Sequence, residues 1–325
     1  MKLLKLVPDN TNIKFLKLRV PFFVLSLVLI FGSWAAVLVN GLNFGVDFAG
    51  GQEVRMTFAQ RETAPIPQLR ELVGGLGYGD PVVQEFGGPQ TVSIRVALPE
   101  GTENTPGAAT AIGDKVIATI TAEYPDARKD GNDTVSGKVA GEFRNQAILA
   151  LLAAMAAVSL YIWIRFEWQF GVGAMFALVH DVSVTVGLFA LTQMEFSLQI
   201  VAAILAIIGY SLNDTIVVYD RIRENLKKYR KMPMFELLDL SVNETLARTV
   251  MTSLTLFVAL IPLLIFGPPS LFGMVAAITV GLFIGTYSSV YMAGPLLIWM
   301  GVTSNSFVPA ESPTDRQEKL ARGEG

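Results

Sequence analysis

Three charged residues of this chain sit inside or at the edge of long apolar runs, where charge is least expected. Asp214 lies in GYSLNDTIVVYDRIREN, residues 209–225, with Asn213 beside it. Arg248 opens a later run, NETLARTVMTSLT, residues 243–255. Asp181 stands in ALVHDV next to His180, the only histidine of the chain. In lipid such groups cost at least about 2.5–3.5 kcal/mol on insertion scales, so they face a bundle interior and mark ion or proton routes. Burial favours the neutral form of a carboxyl, and a nearby Arg favours the ionised form. An Arg that moves relative to Asp214 would switch it between the two, which is the chemistry of proton-coupled motion. Asp214 and Arg248 belong near the same ends of consecutive antiparallel helices, so contact between them is geometrically reasonable. Arg248 also has a simpler reading, a side chain reaching back to the interface from a helix end. Asp181 with His180 reads either as a pair bonded across helices or as a further part of the proton path. One histidine and no cysteine supply no metal site of their own.

These residues need helices long enough to cross a bilayer. The composition supplies them: 52% of the 325 residues are hydrophobic and 16% charged, against roughly 25% charged in soluble domains. A span needs about 20 mostly apolar residues. Six runs qualify, at 20–39, 147–165, 170–192, 198–220, 248–266 and 271–299. The first follows Lys2, Lys5, Lys14, Lys17 and Arg19 without a clear cleavage site behind it, so it reads as an uncleaved span. The last is long for one span, so it tilts or its ends leave the bilayer. It carries Gly281 and Gly285, a G-x-x-x-G whose plain reading is close helix packing. Tyr161, Trp163, Phe166 and Trp168 cluster as an aromatic belt.

Residues 40–144 are different in kind. They are polar, rich in Gly and Pro, and carry nine Lys/Arg against fourteen Asp/Glu. Val54, Met56 and Phe58 alternate, as do Val92, Ile94, Val96 and Leu98, so both stretches read as strands. Helical spacing runs through 67–73 and through Ile112, Val116 and Ile120. Shorter strands fit 81–86 and 133–139. The order β-α-β-β-α-β is the split βαβ pattern of a ferredoxin-like α+β domain. The expected fold is therefore a polytopic helical membrane protein, with this domain between the first and second spans.

The Lys/Arg bias sets the expected orientation. The amino-terminal segment 1–19, Arg165, the connection 221–248 with seven Lys/Arg and the tail 301–325 fall on one side. The short loops 193–197 and 267–270 carry none. Both termini are then cytoplasmic, and 40–144 lies outside. The small net charge of −3 gives no footprint for nucleic acid. No P-loop, nucleophile elbow or H-E-x-x-H is present, so the chain reads as a non-enzyme without cofactor or ATPase of its own.

Several strings, in order, resemble the SecD/SecF family on its SecF side. NGLNFGVDFAGG at 40–51 resembles the G-I-D-F-x-G-G signature, with Val46 where Ile is usual and Gly45, Asp47, Phe48, Gly50 and Gly51 matching. The string around Asp214 resembles the family's fourth-span motif, with Tyr219 where Phe is frequent. NETLARTVMTS and GTYSSVYMAGPL resemble later segments. The likeness runs over about residues 15–300. It implies a bacterial inner-membrane export subunit of the wider RND (resistance–nodulation–division) class. Such a subunit pairs with SecD, joins the SecYEG channel and uses the proton-motive force in late steps of polypeptide translocation. It implies Asp214 and Arg248 as proton-path charges, an acidic partner from SecD, and a domain that meets the emerging polypeptide or SecD. Membrane lipid surrounds the rest. The alternative is an RND-type small-molecule exporter, which would need a larger external portion and usually about twelve spans. A purely structural subunit would need no intramembrane acid–base pair.

Overall fold

The structure, a computed structural model, describes residues 7–8, 11–97 and 107–303. Lys2, Lys5, Leu98 and nearly all of the expected tail lie outside the described residues. Six helical segments are long and apolar enough to span a membrane: 15–40, 137–165, 168–192, 198–228, 234–266 and 269–299.

A 3₁₀ turn, Phe15–Leu18, leads into α1, Arg19–Asn40. The turn is tied down by the start of the fifth span: the Leu16 backbone N–H donates to Asp239 Oδ1 at 2.9 Å, and Asn243 bonds both the N–H and the C=O of Ile13. A single helical turn, α2 (Val46–Ala49), then enters the α/β domain.

That domain is built from β1 (Gly51–Phe58), α3 (Ile66–Gly74), β2 (Val82–Glu85), β3 (Thr91–Val96), α4 (Ala108–Glu123) and β4 (Ala127–Val135). The sheet is fully antiparallel in the order β2-β3-β1-β4, the ferredoxin-like arrangement. One face carries Val54, Met56, Phe58, Val92, Ile94 and Val96 against Leu69, Val73, Val116 and Ile120 of the two helices. The other face is polar: Glu53, Arg55, Ser93 and Arg95 are its central residues, and Glu53 is only 1% exposed. The last strand differs from the sequence reading of 133–139. It starts at Ala127 because β1 needs a partner along its whole length, from Gly51↔Val135 to Phe58↔Ala127. Ser136 then caps the next helix through its side chain.

The bundle comprises α5 (Gly137–Arg165), α6 (Trp168–Thr192), α7 (Leu198–Lys228), α8 (Met234–Phe266) and α9 (Pro269–Ser288). A π-turn, Ser289–Ala293, continues α9 into α10, Gly294–Trp299. Three helices, α5, α7 and α8, extend well beyond the apolar runs that suggested them. The connection 221–248 is helical except around 229–233, since Ile222, Leu226, Leu237, Leu238 and Val242 are buried and pack α7 against α8. Helix α5 begins ten residues before its apolar run. Phe166 leaves the expected aromatic belt: it is buried and stacked on Phe170 at 5.7 Å, while Tyr161, Trp163 and Trp168 stay exposed.

Candidate functional site

Helices α7 and α8 bring the intramembrane charges to one region. Asp214 is 1% exposed. Its Oδ1 lies 3.5 Å from the Thr252 hydroxyl, which belongs to α8 one turn beyond Arg248. Its Oδ2 is buried without a hydrogen-bond partner among the described residues. Arg248 and Asn213 are exposed on the outside of the bundle, and no ion pair joins Arg248 to Asp214 among the described residues. On α7 the exposed positions Ala202, Ala206, Gly209 and Asn213 follow each other at helical spacing. Small side chains there leave room for another helix to come close.

One turn before Asp214, Ser211 turns inward and donates to Asp181 Oδ2 at 2.5 Å. Ser288 of α9 donates to the same oxygen at 2.9 Å. His180 Nδ1 meets Asp181 Oδ1 at 2.9 Å, while its Nε2 is buried without a partner among the described residues. Asp181 and His180 are both fully buried. Asp181 thus joins α6, α7 and α9. Glycine makes that junction possible: a Cβ on Gly285 would lie 3.0 Å from Ser211 Cβ, and one on Gly281 would lie 2.5 Å from two carbons of Ile207.

The segment after the first span forms a second site, on the opposite side of the bundle from the α7–α8 turn. Residues 43–47 run beside the α6–α7 loop as a parallel bridge, Phe44↔Phe196. The Phe196 N–H donates to Asn43 O at 2.8 Å and the Gly45 N–H to Phe196 O at 3.0 Å. Asp47 Oδ2 accepts the backbone N–H of Leu198 at 2.9 Å. It thereby caps α7, whose own N-cap residue Ser197 makes no side-chain cap. A Cβ on Gly45 would run into the Glu195 carboxyl, so a side chain there requires Glu195 to move. Gly50 and Gly51 take φ of +73° and +119°, which only glycine adopts readily, and a Cβ on Gly51 would sit 2.8 Å from Val96 O. Phe48 is buried among Phe44 and Phe196. Asp47→Ala is expected to remove the cap and about 1 kcal/mol of stability, with most of it kept in Asp47→Asn. Thermal unfolding of the two variants checks this.

Glu195 escapes a reading of the sequence alone. It stands in a five-residue loop whose only obvious property is lack of Lys and Arg, yet it is largely buried under the sheet. Burial raises its carboxyl to about 7, helped by the charge of Glu53 and opposed by Arg95 and Arg55. Glu53 itself accepts the Ser93 hydroxyl at 2.7 Å and Arg55 Nε at 3.1 Å. Among the described residues, no group of three or more His, Cys, Asp or Glu has a metal-holding arrangement.

Comparison with known proteins places this arrangement. Residues 115–303 match the family described as protein export membrane protein SecD/SecF, C-terminal, and residues 35–60 match the SecD/SecF GG motif. The chain is 42% identical to the protein translocase subunit SecF of Rhodobacter capsulatus, over 96% of each chain. It is 44% identical to that of Cereibacter sphaeroides, over 92% of this chain and 93% of the relative. The crystal structure of SecDF, a translocon-associated membrane protein from Thermus thermophilus, superposes with a TM-score of 0.80 at 31% identity. The match covers 90% of this chain and 39% of that longer one. SecDF in its super-membrane-facing form matches with a TM-score of 0.66 at 29% identity. On these matches the chain belongs to the SecF side of the SecD/SecF family of protein-export membrane proteins.

Proposed function

We propose that this subunit draws on the proton-motive force, together with SecD, to promote late steps of polypeptide translocation through SecYEG. The observation that carries the reading is Asp214: a buried carboxyl with one oxygen unpartnered, beside an exposed Arg248 and Asn213 on a face of small residues. A lone membrane protein gains nothing from an Arg and an Asn turned outward at this depth. A partner helix that brings an acidic group would neutralise Arg248 and leave Asp214 free to exchange protons. SecD is that partner in this reading. Asp181 and His180 extend the path inward through Ser211. The termini are cytoplasmic and the α/β domain periplasmic, in the bacterial inner membrane, where the domain meets the emerging chain or SecD. Each proton crossing releases about 2.3 kcal/mol per 100 mV, so the subunit needs no nucleotide hydrolysis of its own.

Export into inverted membrane vesicles, with and without a proton gradient, tests this. Asp214→Asn is expected to assemble normally and to lose the gradient's stimulation of export completely. Stimulation at the normal level in that variant would remove Asp214 from the path and leave coupling to SecD or to Asp181.

A further inference from the structure

The α/β domain rests on the bundle through its polar face. Between the sheet and the outer ends of α6, α7 and α9 lies a cavity of about 330 Å³. Glu195 reaches this seam from the α6–α7 loop, and its Oε2 is buried with no hydrogen-bond partner among the described residues. Nearly every element packed around it brings charge. Asp47 comes from α2, Glu53 and Arg55 from β1, Glu85 from β2, Arg95 from β3 and Asp133 from β4. Helices α7 and α9 contribute only uncharged groups to the cavity, such as Gln199, Pro269 and Ser270. Arg55 is already engaged by Glu53 and Asp133, while Arg95 donates to the neutral Asn43 and leaves its Nε buried without a partner among the described residues. Glu195 therefore meets four acidic groups, and the pull of Arg95 is smaller than the burial and the Glu53 charge that oppose it.

We propose that Glu195 is a proton-binding residue that latches the α/β domain to the bundle: protonated it lets the polar face stay seated, and ionised it opposes Glu53 and loosens the seat. The latch is independent of the proton route through Asp214. Only its use in export rests on the function proposed above.

The sign follows from linkage. Docked, the Glu195 carboxyl titrates near about 7, chiefly through burial; released into water it returns to 4.5. The docked form holds the proton more tightly, so docking is strongest below pH 4.5, weakens as pH rises through the window to about 7, and stays weakest above it. That difference corresponds to on the order of a hundred-fold in the docking equilibrium.

The chain has no cysteine, so two introduced ones report cleanly. Ala118→Cys lies on the exposed side of α4, and Leu191→Cys lies at the lipid-exposed end of α6. Spin labels there give distances across the seam in the full chain, in lipid nanodiscs, between pH 5 and 8, without any export assay. The expected result is one docked distance at pH 5 and a growing second population as pH rises. Glu195→Gln should stay docked at every pH, and Glu53→Gln, which removes the charge that ionised Glu195 opposes, should shrink the second population at every pH where it appears. A distribution that does not change with pH in the otherwise unaltered chain overturns the latch. So does a pH response that survives unaltered in Glu195→Gln.

Discussion

Asp181→Asn is expected to leave the bundle folded and to abolish most of the stimulation of export by a proton gradient, while Asp181→Ala lowers stability by about 2–4 kcal/mol. The two outcomes separate because Asp181 does two things. As an acceptor it holds the hydroxyls of Ser211 and Ser288 and one nitrogen of His180. Asn keeps an oxygen in the same place, so it loses little of this. Ala leaves three buried polar groups without their partner, and each such loss is worth about 1–3 kcal/mol in a protein interior. The serines can fall back on carbonyls of their own helices, which keeps the total near the lower part of that sum; Ser288 already lies 3.2 Å from Gly285 O. Hydrogen bonds between membrane helices are weak for the same reason. As an acid, Asp181 can carry a proton, and Asn cannot. Denaturant unfolding reads the first role and gradient-dependent export reads the second. Full stimulation in a folded Asp181→Asn variant would reduce the pair to a tie between helices.

Gly285→Leu will force α7 and α9 apart and cost about 3 kcal/mol, at the upper end of the usual cost of overpacking. The contact it meets is with Ser211 Cβ at 3.0 Å and Cα at 3.4 Å, so no flexible side-chain end can give way. Displacing Ser211 also withdraws a donor from Asp181, so the packing and hydrogen-bond losses add. Gly285→Ala needs a shift of only a few tenths of an ångström and gains helix propensity, so its net cost should stay below about 1 kcal/mol. Unfolding midpoints of the two variants, measured in the same detergent, check the difference. Equal midpoints would mean that the α7–α9 seam is looser than its geometry indicates.

The six spans were legible because lipid demands a long apolar run, and such runs are rare by chance. Helix α8 shows where that signal stops. Its first half, Met234 to Arg248, is amphipathic and carries Glu236, Asp239 and Glu244, so only its apolar second half stands out from the sequence. Strands β1 and β3 announced themselves through alternation at Val54, Met56 and Phe58 and at Val92, Ile94 and Val96. The edge strand β4 did not, since ARKDGNDTV buries only Ala127. It is defined by pairing with β1, which one strand's own composition does not record. The intramembrane charges could be found by type and position alone. Their surroundings could not: the contact of Asp181 with Ser288 joins residues 107 apart, and Glu195 comes to Glu53 from a loop two spans further along the chain. The inward turn of Phe166 was likewise invisible, because a belt residue and a core residue have the same composition.

The clamp between residues 43–47 and the α6–α7 loop also orders events during synthesis. Asp47 and Leu198 are 151 residues apart. At about 5–20 residues per second, the ribosome needs roughly 8–30 s to make that interval. In the proposed orientation, the α/β domain, complete at Val135, precedes its seat by the two spans α5 and α6. Its own apolar core takes no residue from the bundle, but the polar face with Glu53 and Arg95 has no seat until the third and fourth spans are made and their loop lies between them. The loop is thus the last piece of the domain's foundation, supplied by a part of the chain made after every strand of the sheet.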